Sequence, residues 1–196
     1  IEVAGLKAGM PMPPLALEDE VSLDLSMLIM AQSKKDTLAE GKDWVSHPAE
    51  AVLTTLVKDH ERLGKKVGKG FYDYAQNAEG QNEKQLWPAL TELYPPLAEQ
   101  PDMQELIDRL LYIQANESAR CYEEGILRSV AEGNVGSIFG WGFAPHQGGT
   151  LQFINATGVE QFVARSHELA AKYGARFEPA QILVEMANKG EVFADG

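Results

Sequence analysis

The chain has 196 residues, and 44% of them are hydrophobic, which is enough to build a core and excludes a long disordered tail. With 17 basic against 29 acidic side chains the net charge is −12, and this sign argues against nucleic acid as a partner. No apolar run approaches the roughly 18 residues of a membrane span. A single cysteine, Cys121, cannot form an internal disulfide.

The first half of the chain predicts two helices. Residues 15–32 place apolar side chains three and four positions apart with acidic residues between them, which indicates a helix that breaks near Ser22. Residues 48–63 repeat this spacing, carry the cap signals Ser46 and Pro48, and end before Gly64. Residues 71–74 form a short strand-like run.

The second half predicts three further helices. Residues 103–124 give the longest one, with Leu106, Leu110 and Ile113 on one apolar stripe and Leu111, Ala115, Ala119 and Tyr122 on a second. Residues 157–160 read as a capping box ahead of a helix that Gly174 closes, and a last helix spans residues 179–189. The whole pattern predicts an all-α protein.

The chain also predicts two related units. Residues 76–101 have the Pro, Gly and Asn content of a linker with one short helix near residues 86–93, which separates a first unit, 1–75, from a second, 102–196. Residues 14–24 run parallel to residues 150–160, each after a loop rich in Gly and Pro. The second unit has a long helix before this loop, whereas the first does not. We therefore expect the first unit to be truncated at its N-terminus, with the chain starting inside a longer one.

Candidate chemistry is sparse. No Gly-x-Gly-x-x-Gly string occurs, and the nearest ones, at 68–70 and 140–142, lack the third glycine. The four histidines lack metal-ligand spacing, and Ser137 lacks the glycines two residues away on either side that a nucleophile elbow needs. The acidic residues 117, 123, 124 and 132 predict either a carboxylate pair for acid/base work or, more simply, a solvated helix face. One basic cluster predicts either an anion site or a helix end followed by a turn: Arg62, Lys65, Lys66 and Lys69.

Two groups of motifs carry a family resemblance. Residues 9–24, followed by Leu-Gly-Lys-Lys-Val-Gly-Lys-Gly-Phe-Tyr at 63–72, resemble the C-terminal helical domain of L-3-hydroxyacyl-CoA dehydrogenase. Residues 119–125, 129–132 and 136–149 are similar to a second copy of that domain. The resemblance implies two related helical units with a fold like the 6-phosphogluconate dehydrogenase C-terminal domain. It also implies a parent of the multifunctional fatty-acid β-oxidation type.

The resemblance implies a site built mostly outside this chain. The family uses NAD, bound by a separate N-terminal domain that also carries its His/Glu pair, and a further catalytic Asn beside an Arg. Here the matching place reads Asp108-Arg109, so we expect no catalytic residue, no bound NAD and no metal, and a surface ion pair for Arg109. The loop residues expected to lie near the acyl-CoA substrate are Gly9, Met12, Pro13 and Pro14.

The same resemblance implies partners and a compartment. The helical domains would form the wall of the acyl-CoA cleft and contact nucleotide-binding and hydratase domains, in a homodimer or a larger chain. The compartment would be the cytoplasm, or a mitochondrion or peroxisome. The alternative is an independent helical oligomerisation or adapter module without catalysis. An exposed apolar face between residues 9 and 28 would favour the dehydrogenase domain over the independent module, because a domain separated from its partner domains exposes the surface that they cover.

Overall fold

The computed structural model describes residues 1–76, 79–80 and 82–194, and in these the protein is helical apart from one small sheet, which confirms the all-α prediction. The elements in chain order are α1 (Glu2–Ala8), α2 (Pro14–Val21), α3 (Leu23–Ala39), α4 (Ala49–Thr54), β1 (Tyr72–Gln76), β2 (Asn82–Leu86), α5 (Leu90–Leu93), α6 (Met103–Glu123), α7 (Val130–Trp141), α8 (Thr150–Thr157), α9 (Val159–Tyr173) and α10 (Gln181–Lys189).

The chain divides into two compact units. The middle unit is Met12–Gln100, and the terminal unit combines Ile1–Pro11 with Pro101–Gly196. This division differs from the sequence-based one, which groups 1–75, sets 76–101 apart and begins the second unit at 102. The sequence-based boundaries describe the two repeated sequence units and stay a prediction.

The middle unit is built on α2 and α3, which meet at Ser22 as predicted. Its buried core consists of Ala16, Leu23, Leu53, Leu56, Phe71 and Tyr72. The helix predicted over 48–63 begins as α4, continues as a π-helical turn over Thr55–Asp59 and ends at His60. Gly64 then introduces a 3-10 turn, Lys65–Val67.

A β-hairpin in the middle unit is longer than the sequence indicates. Strand β1 pairs antiparallel with β2, with Tyr72 opposite Leu86. The second strand was not predicted, because residues 82–86 are polar except for Leu86 and show no apolar alternation. The short helix expected near 86–93 is accordingly reduced to α5.

The terminal unit is organised around α6, whose observed limits differ from the predicted ones by one residue. Asp102 caps this helix by accepting hydrogen bonds from the backbone N–H groups of Gln104 and Glu105. Helix α1 packs against α6 and buries the small residues Ala4, Gly5 and Ala8. Small side chains on this face allow the two helices to approach closely.

Of the two apolar stripes predicted on α6, the second supplies most of the buried face. Leu111, Tyr112, Ala115 and Ala119 are buried, whereas Leu106, Leu110 and Ile113 are half-buried. We expect Leu111→Ala to lower the free energy of unfolding by about 2–4 kcal/mol and Leu110→Ala by about 1 kcal/mol, because the cost follows the buried volume that is removed. Urea melts of the two variants check this. Equal losses would contradict the burial described for the helix.

The predicted capping box at residues 157–160 is wrong. Thr157 is the last residue of α8, and its hydroxyl donates a hydrogen bond to the backbone carbonyl of Phe153. Gly158, which has no side chain, occupies the N-cap position of α9. The capping-box prediction fails because α8 ends at Thr157, so the N-cap of α9 falls one residue later, at Gly158.

The local backbone supports the predicted repeat of residues 14–24 at 150–160. Helices α2 and α8 both have eight residues, and the residue after each adopts nearly the same conformation: φ 91° and ψ 121° at Ser22, φ 88° and ψ 122° at Gly158. The helices also tether later segments in a similar way. Asp19 binds the backbone of Phe71, and Asn155, at the same place in α8, binds both the N–H and the carbonyl of Phe193.

Candidate functional site

Gly9 ends α1 in a left-handed conformation, with φ 92°. A Cβ atom at this position would lie 2.5 Å from Cε1 of His146 and 2.9 Å from Cβ of Ala144. Both the dihedral angle and the space therefore require glycine. The structure accounts for Gly9 by packing within the terminal unit, and its predicted role near substrate stays a prediction.

Met12, Pro13 and Pro14 lead into α2. Pro13 is the N-cap residue and Pro14 the first helical residue, where a missing N–H costs no intrahelical hydrogen bond. Met12 packs against the core of the middle unit. It also lines a cleft of about 450 Å³ together with Ala16 and Tyr74. Contact of these residues with a substrate likewise stays a prediction.

Asp19 on α2 is the buried anchor of the segment that carries the family motif. Its carboxylate, 1% exposed, accepts hydrogen bonds from the backbone N–H groups of Phe71 at 2.7 Å and Tyr72 at 2.9 Å, and from the Tyr74 hydroxyl at 2.9 Å. Burial, followed by the hydrogen bond to Asp19, raises the pKa of Tyr74 well above its usual range. The motif after Gly64 is thus held by one side chain from a distant helix.

Arg62 holds the same segment from the other side. Its guanidinium donates to the backbone carbonyls of Gly70 at 2.5 Å and Tyr72 at 3.0 Å, pairs with Asp73 at 2.6 Å and lies 4.2 Å from the centre of the Trp87 ring. At 5% exposure, this cation cannot meet an external anion.

Two lysines of the basic cluster are paired as well. Lys65 pairs with Glu20, and Lys66 pairs with Asp24 at 2.7 Å, a hydrogen bond that lowers the pKa of Asp24. For these two and for Arg62 the structure supports the helix-end and turn interpretation over the anion site.

Helices α2 and α3 expose a row of large apolar side chains. Their exposed fractions range from 38% to 66%, too high for core residues. The members are Leu17, Val21, Leu25, Leu28 and Ile29. Their spacing of three or four residues places neighbours on each helix one turn apart. We call this set the α2–α3 apolar row.

A cleft of about 660 Å³ lies in the terminal unit among residues of α1, α6, α8 and α9. Its apolar wall includes Leu111, Tyr112 and Phe153. Its polar residues include Asp108 and Arg165, which are paired at 2.8 Å. The paired carboxylate of Asp108 is a fixed partner of Arg165.

Tyr112 is fixed in this wall by its ring, which stacks on Phe162 at 4.3 Å with an interplanar angle of 2°. Burial, followed by the negative charge of Asp108, raises the pKa of Tyr112 to about 12. An unfolded tyrosine ionises near pH ~10, so the stability that the neutral hydroxyl provides is complete below that pH and is lost as the pH rises toward 12.

We therefore expect a steeper loss of stability between pH 10 and 12 in the native sequence than in Tyr112→Phe, because phenylalanine does not ionise. Urea melts at stepped alkaline pH test this, and the other tyrosines contribute equally to both proteins. Parallel stability curves for the two proteins would show that Tyr112 ionises as freely as in the unfolded chain.

Other residues singled out in the sequence have structural roles. Ser137 is buried, donates to the carbonyl of Asn134 and accepts from the N–H of Thr150. Glu123 accepts from the N–H of Ile182. The surface ion pair predicted for Arg109 is wrong, since its guanidinium lies 4.1 Å from the centre of the Tyr173 ring.

The described part of the chain has neither a metal-binding cluster nor a membrane-spanning helix. No group of three or more His, Cys, Asp or Glu side chains in residues 1–76, 79–80 and 82–194 is arranged to hold a metal ion. None of the helices described there combines the length and the apolar character needed to cross a membrane.

Two solved structures share the fold. 3-Hydroxybutyryl-CoA dehydrogenase from Escherichia coli K12 superposes with a TM-score of 0.64 and 20% identity over 95% of this chain and 53% of its own. The dehydrogenase part of multifunctional enzyme 1 from C. elegans superposes with a TM-score of 0.58 and 16% identity, over 94% of this chain and 41% of its own. The chain thus spans about half the length of these proteins or less. At such identities the likeness establishes the fold alone.

The sequence itself carries the family signal. Residues 2–74, which include the segment tethered by Asp19 and Arg62, match the sequence model of the family described as 3-hydroxyacyl-CoA dehydrogenase, C-terminal domain. For this part of the chain the predicted resemblance to the C-terminal domain of 3-hydroxyacyl-CoA dehydrogenase is therefore confirmed. The similarity of residues 119–149 to a second copy of that domain stays a prediction.

Proposed function

We propose that this chain supplies the C-terminal helical part of an NAD-dependent 3-hydroxyacyl-CoA dehydrogenase of fatty-acid β-oxidation. In that enzyme it forms the helical wall of the acyl-CoA cleft and contacts the nucleotide-binding and hydratase domains. Gly9, Met12, Pro13 and Pro14 lie near the substrate. The parent enzyme works in the cytoplasm, or in a mitochondrion or peroxisome. Its subunits contact one another through these helices in a homodimer.

The α2–α3 apolar row is the observation that carries this proposal. A domain separated from its partner domains exposes the face that they would cover, and five large apolar side chains are exposed between residues 17 and 29. A domain that packs against others needs such a face. The row lies within residues 2–74, the part of the chain that matches the family.

A test of the row uses the complete parent enzyme. Leu28→Gln, at 66% exposure, should leave the stability of this chain within about 0.5 kcal/mol, as is usual for surface substitutions. It should lower dehydrogenase activity by weakening the domain contact. The matched control is Lys34→Gln on the same helix. An unchanged activity for both variants would contradict the assignment of the row as a domain contact of the enzyme.

The residues of this chain do not fit a bound dinucleotide. The two strands that the structure describes are antiparallel, whereas the dinucleotide site requires a glycine-rich turn between a parallel strand and a helix. The NAD of the parent must then be held by another domain, and no catalytic step is assigned to residues of this chain.

We expect the chain alone neither to bind NAD nor to oxidise a 3-hydroxyacyl-CoA. Isothermal titration calorimetry with NAD should show no heat of binding, and absorbance at the NADH band should stay flat with 3-hydroxybutyryl-CoA as substrate. Binding with a Kd near ~1 μM, equivalent to about −8 kcal/mol, would contradict the proposal.

A further inference from the structure

The cleft of the terminal unit contains hydrogen-bonding groups that nothing in the proposed function uses. Lys7, on α1, lines the cleft, and its ammonium has no ion pair or hydrogen bond in the described part of the chain. The amide of Gln161, on α9, is likewise without a partner there. The same holds for the Tyr112 hydroxyl, although Tyr112 is only 5% exposed.

The negative groups of the cleft, in contrast, are already occupied. Arg165 binds Asp108 through Nε and a terminal nitrogen, each at 2.8 Å, and binds Glu168 at 2.8 Å. Glu105 beside them pairs with Lys172 at 2.6 Å. A ligand that fits this cleft therefore needs hydrogen-bond acceptors for the Lys7 ammonium and the Tyr112 hydroxyl. It does not need donors, because the carboxylates are already paired.

The charge of the cleft limits that ligand to one negative charge. Lys7 is the one cation lining it that lacks a carboxylate partner in the described residues, and the chain as a whole carries −12. A phosphate dianion would need a second free cation or a set of convergent backbone N–H groups. Among its mostly polar lining, Leu111, Tyr112 and Phe153 form one apolar side that a short hydrocarbon body can contact.

We propose that this cleft binds a small organic monocarboxylate whose carboxylate pairs with Lys7 and accepts a hydrogen bond from Tyr112, and whose hydrocarbon body lies on the apolar wall. The volume of about 660 Å³ is within the usual range for small-molecule sites. The proposal concerns the terminal unit and is independent of the dehydrogenase assignment.

Titration of the full ¹⁵N-labelled chain by NMR tests the proposal, with hexanoate and 3-phenylpropanoate as probes. We expect saturable shifts confined to the cleft residues, with a Kd of about 1 mM, the range open to a ligand of few atoms. The probe with the lower Kd shows whether the cleft prefers a hydrocarbon chain or an aromatic ring. Saturable binding of either probe supports the proposal. 1-Hexanol is the matched neutral probe and should bind at least about tenfold more weakly, because it cannot pair with Lys7.

Two variants test the residues. Lys7→Met keeps the apolar stem of this exposed side chain, removes the charge and should weaken hexanoate binding about tenfold, whereas Lys34→Met should not change it. Tyr112→Phe keeps the ring stacked and should weaken binding about fivefold. Equal binding of 1-hexanol, equal binding of inorganic phosphate, no saturation with either carboxylate, or an unaffected Lys7→Met variant would each overturn the proposal.

Discussion

Replacing Asp19 by Ala is expected to lower the free energy of unfolding by about 3–5 kcal/mol. The substitution removes the carboxylate that accepts hydrogen bonds from the buried backbone N–H groups of Phe71 and Tyr72 and from the Tyr74 hydroxyl. Each unsatisfied buried donor costs about 1–3 kcal/mol. Urea denaturation followed by circular dichroism measures the loss.

Two comparisons make the Asp19 result specific. Asp43→Ala, at an exposed position, should change stability by less than about 0.5 kcal/mol. Asn155→Ala removes the corresponding neutral tether of Phe193 and should cost less than Asp19→Ala, because hydrogen bonds to a charged acceptor are stronger. A loss below about 1 kcal/mol for Asp19→Ala would mean that another group anchors the segment.

Phe162→Ala should destabilise the terminal unit by about 3–5 kcal/mol. The side chain is fully buried, stacks on Tyr112 and meets the edge of Phe153 with ring centres 6.0 Å apart. The substitution removes the transfer free energy of the ring and leaves a cavity among aromatic neighbours that cannot close it.

Phe139→Ala is the matched control for Phe162→Ala. Phe139 lies on α7 with 86% of its surface exposed, so its truncation should change stability by less than about 0.5 kcal/mol. Thermal melts of both variants compare the same chemical deletion in two environments. Similar melting temperatures for the two variants would contradict the placement of Phe162 in the core.

The sequence predicts best the helices whose signals are local. The break at Ser22 and the limits of α6 follow from apolar spacing and from terminating residues such as Gly125. Helix α7 was missed because its glycines, including Gly133, disfavour a helix by propensity. Gly133 is needed there because a Cβ would lie 2.9 Å from Leu151, a contact between elements that no local pattern reveals.

The functional residues were harder to predict than the helices. The basic cluster at 62–69 is conspicuous by its charge, yet the partners of Lys65 and Lys66 are Glu20 and Asp24, more than forty positions away. The cleft at Lys7 could not be found at all, because it needs α1 to pack against α6 across about a hundred residues. Recognition of the family relied instead on short motifs, whose order along the chain is visible without any contact.

The intact mass of the natural gene product tests the central claim most directly. If the chain is the C-terminal helical part of a 3-hydroxyacyl-CoA dehydrogenase, mass spectrometry of the protein isolated from its source should show a polypeptide well above the 21.5 kDa of these 196 residues. A natural product of 21.5 kDa would contradict the account and leave an independent helical module in its place.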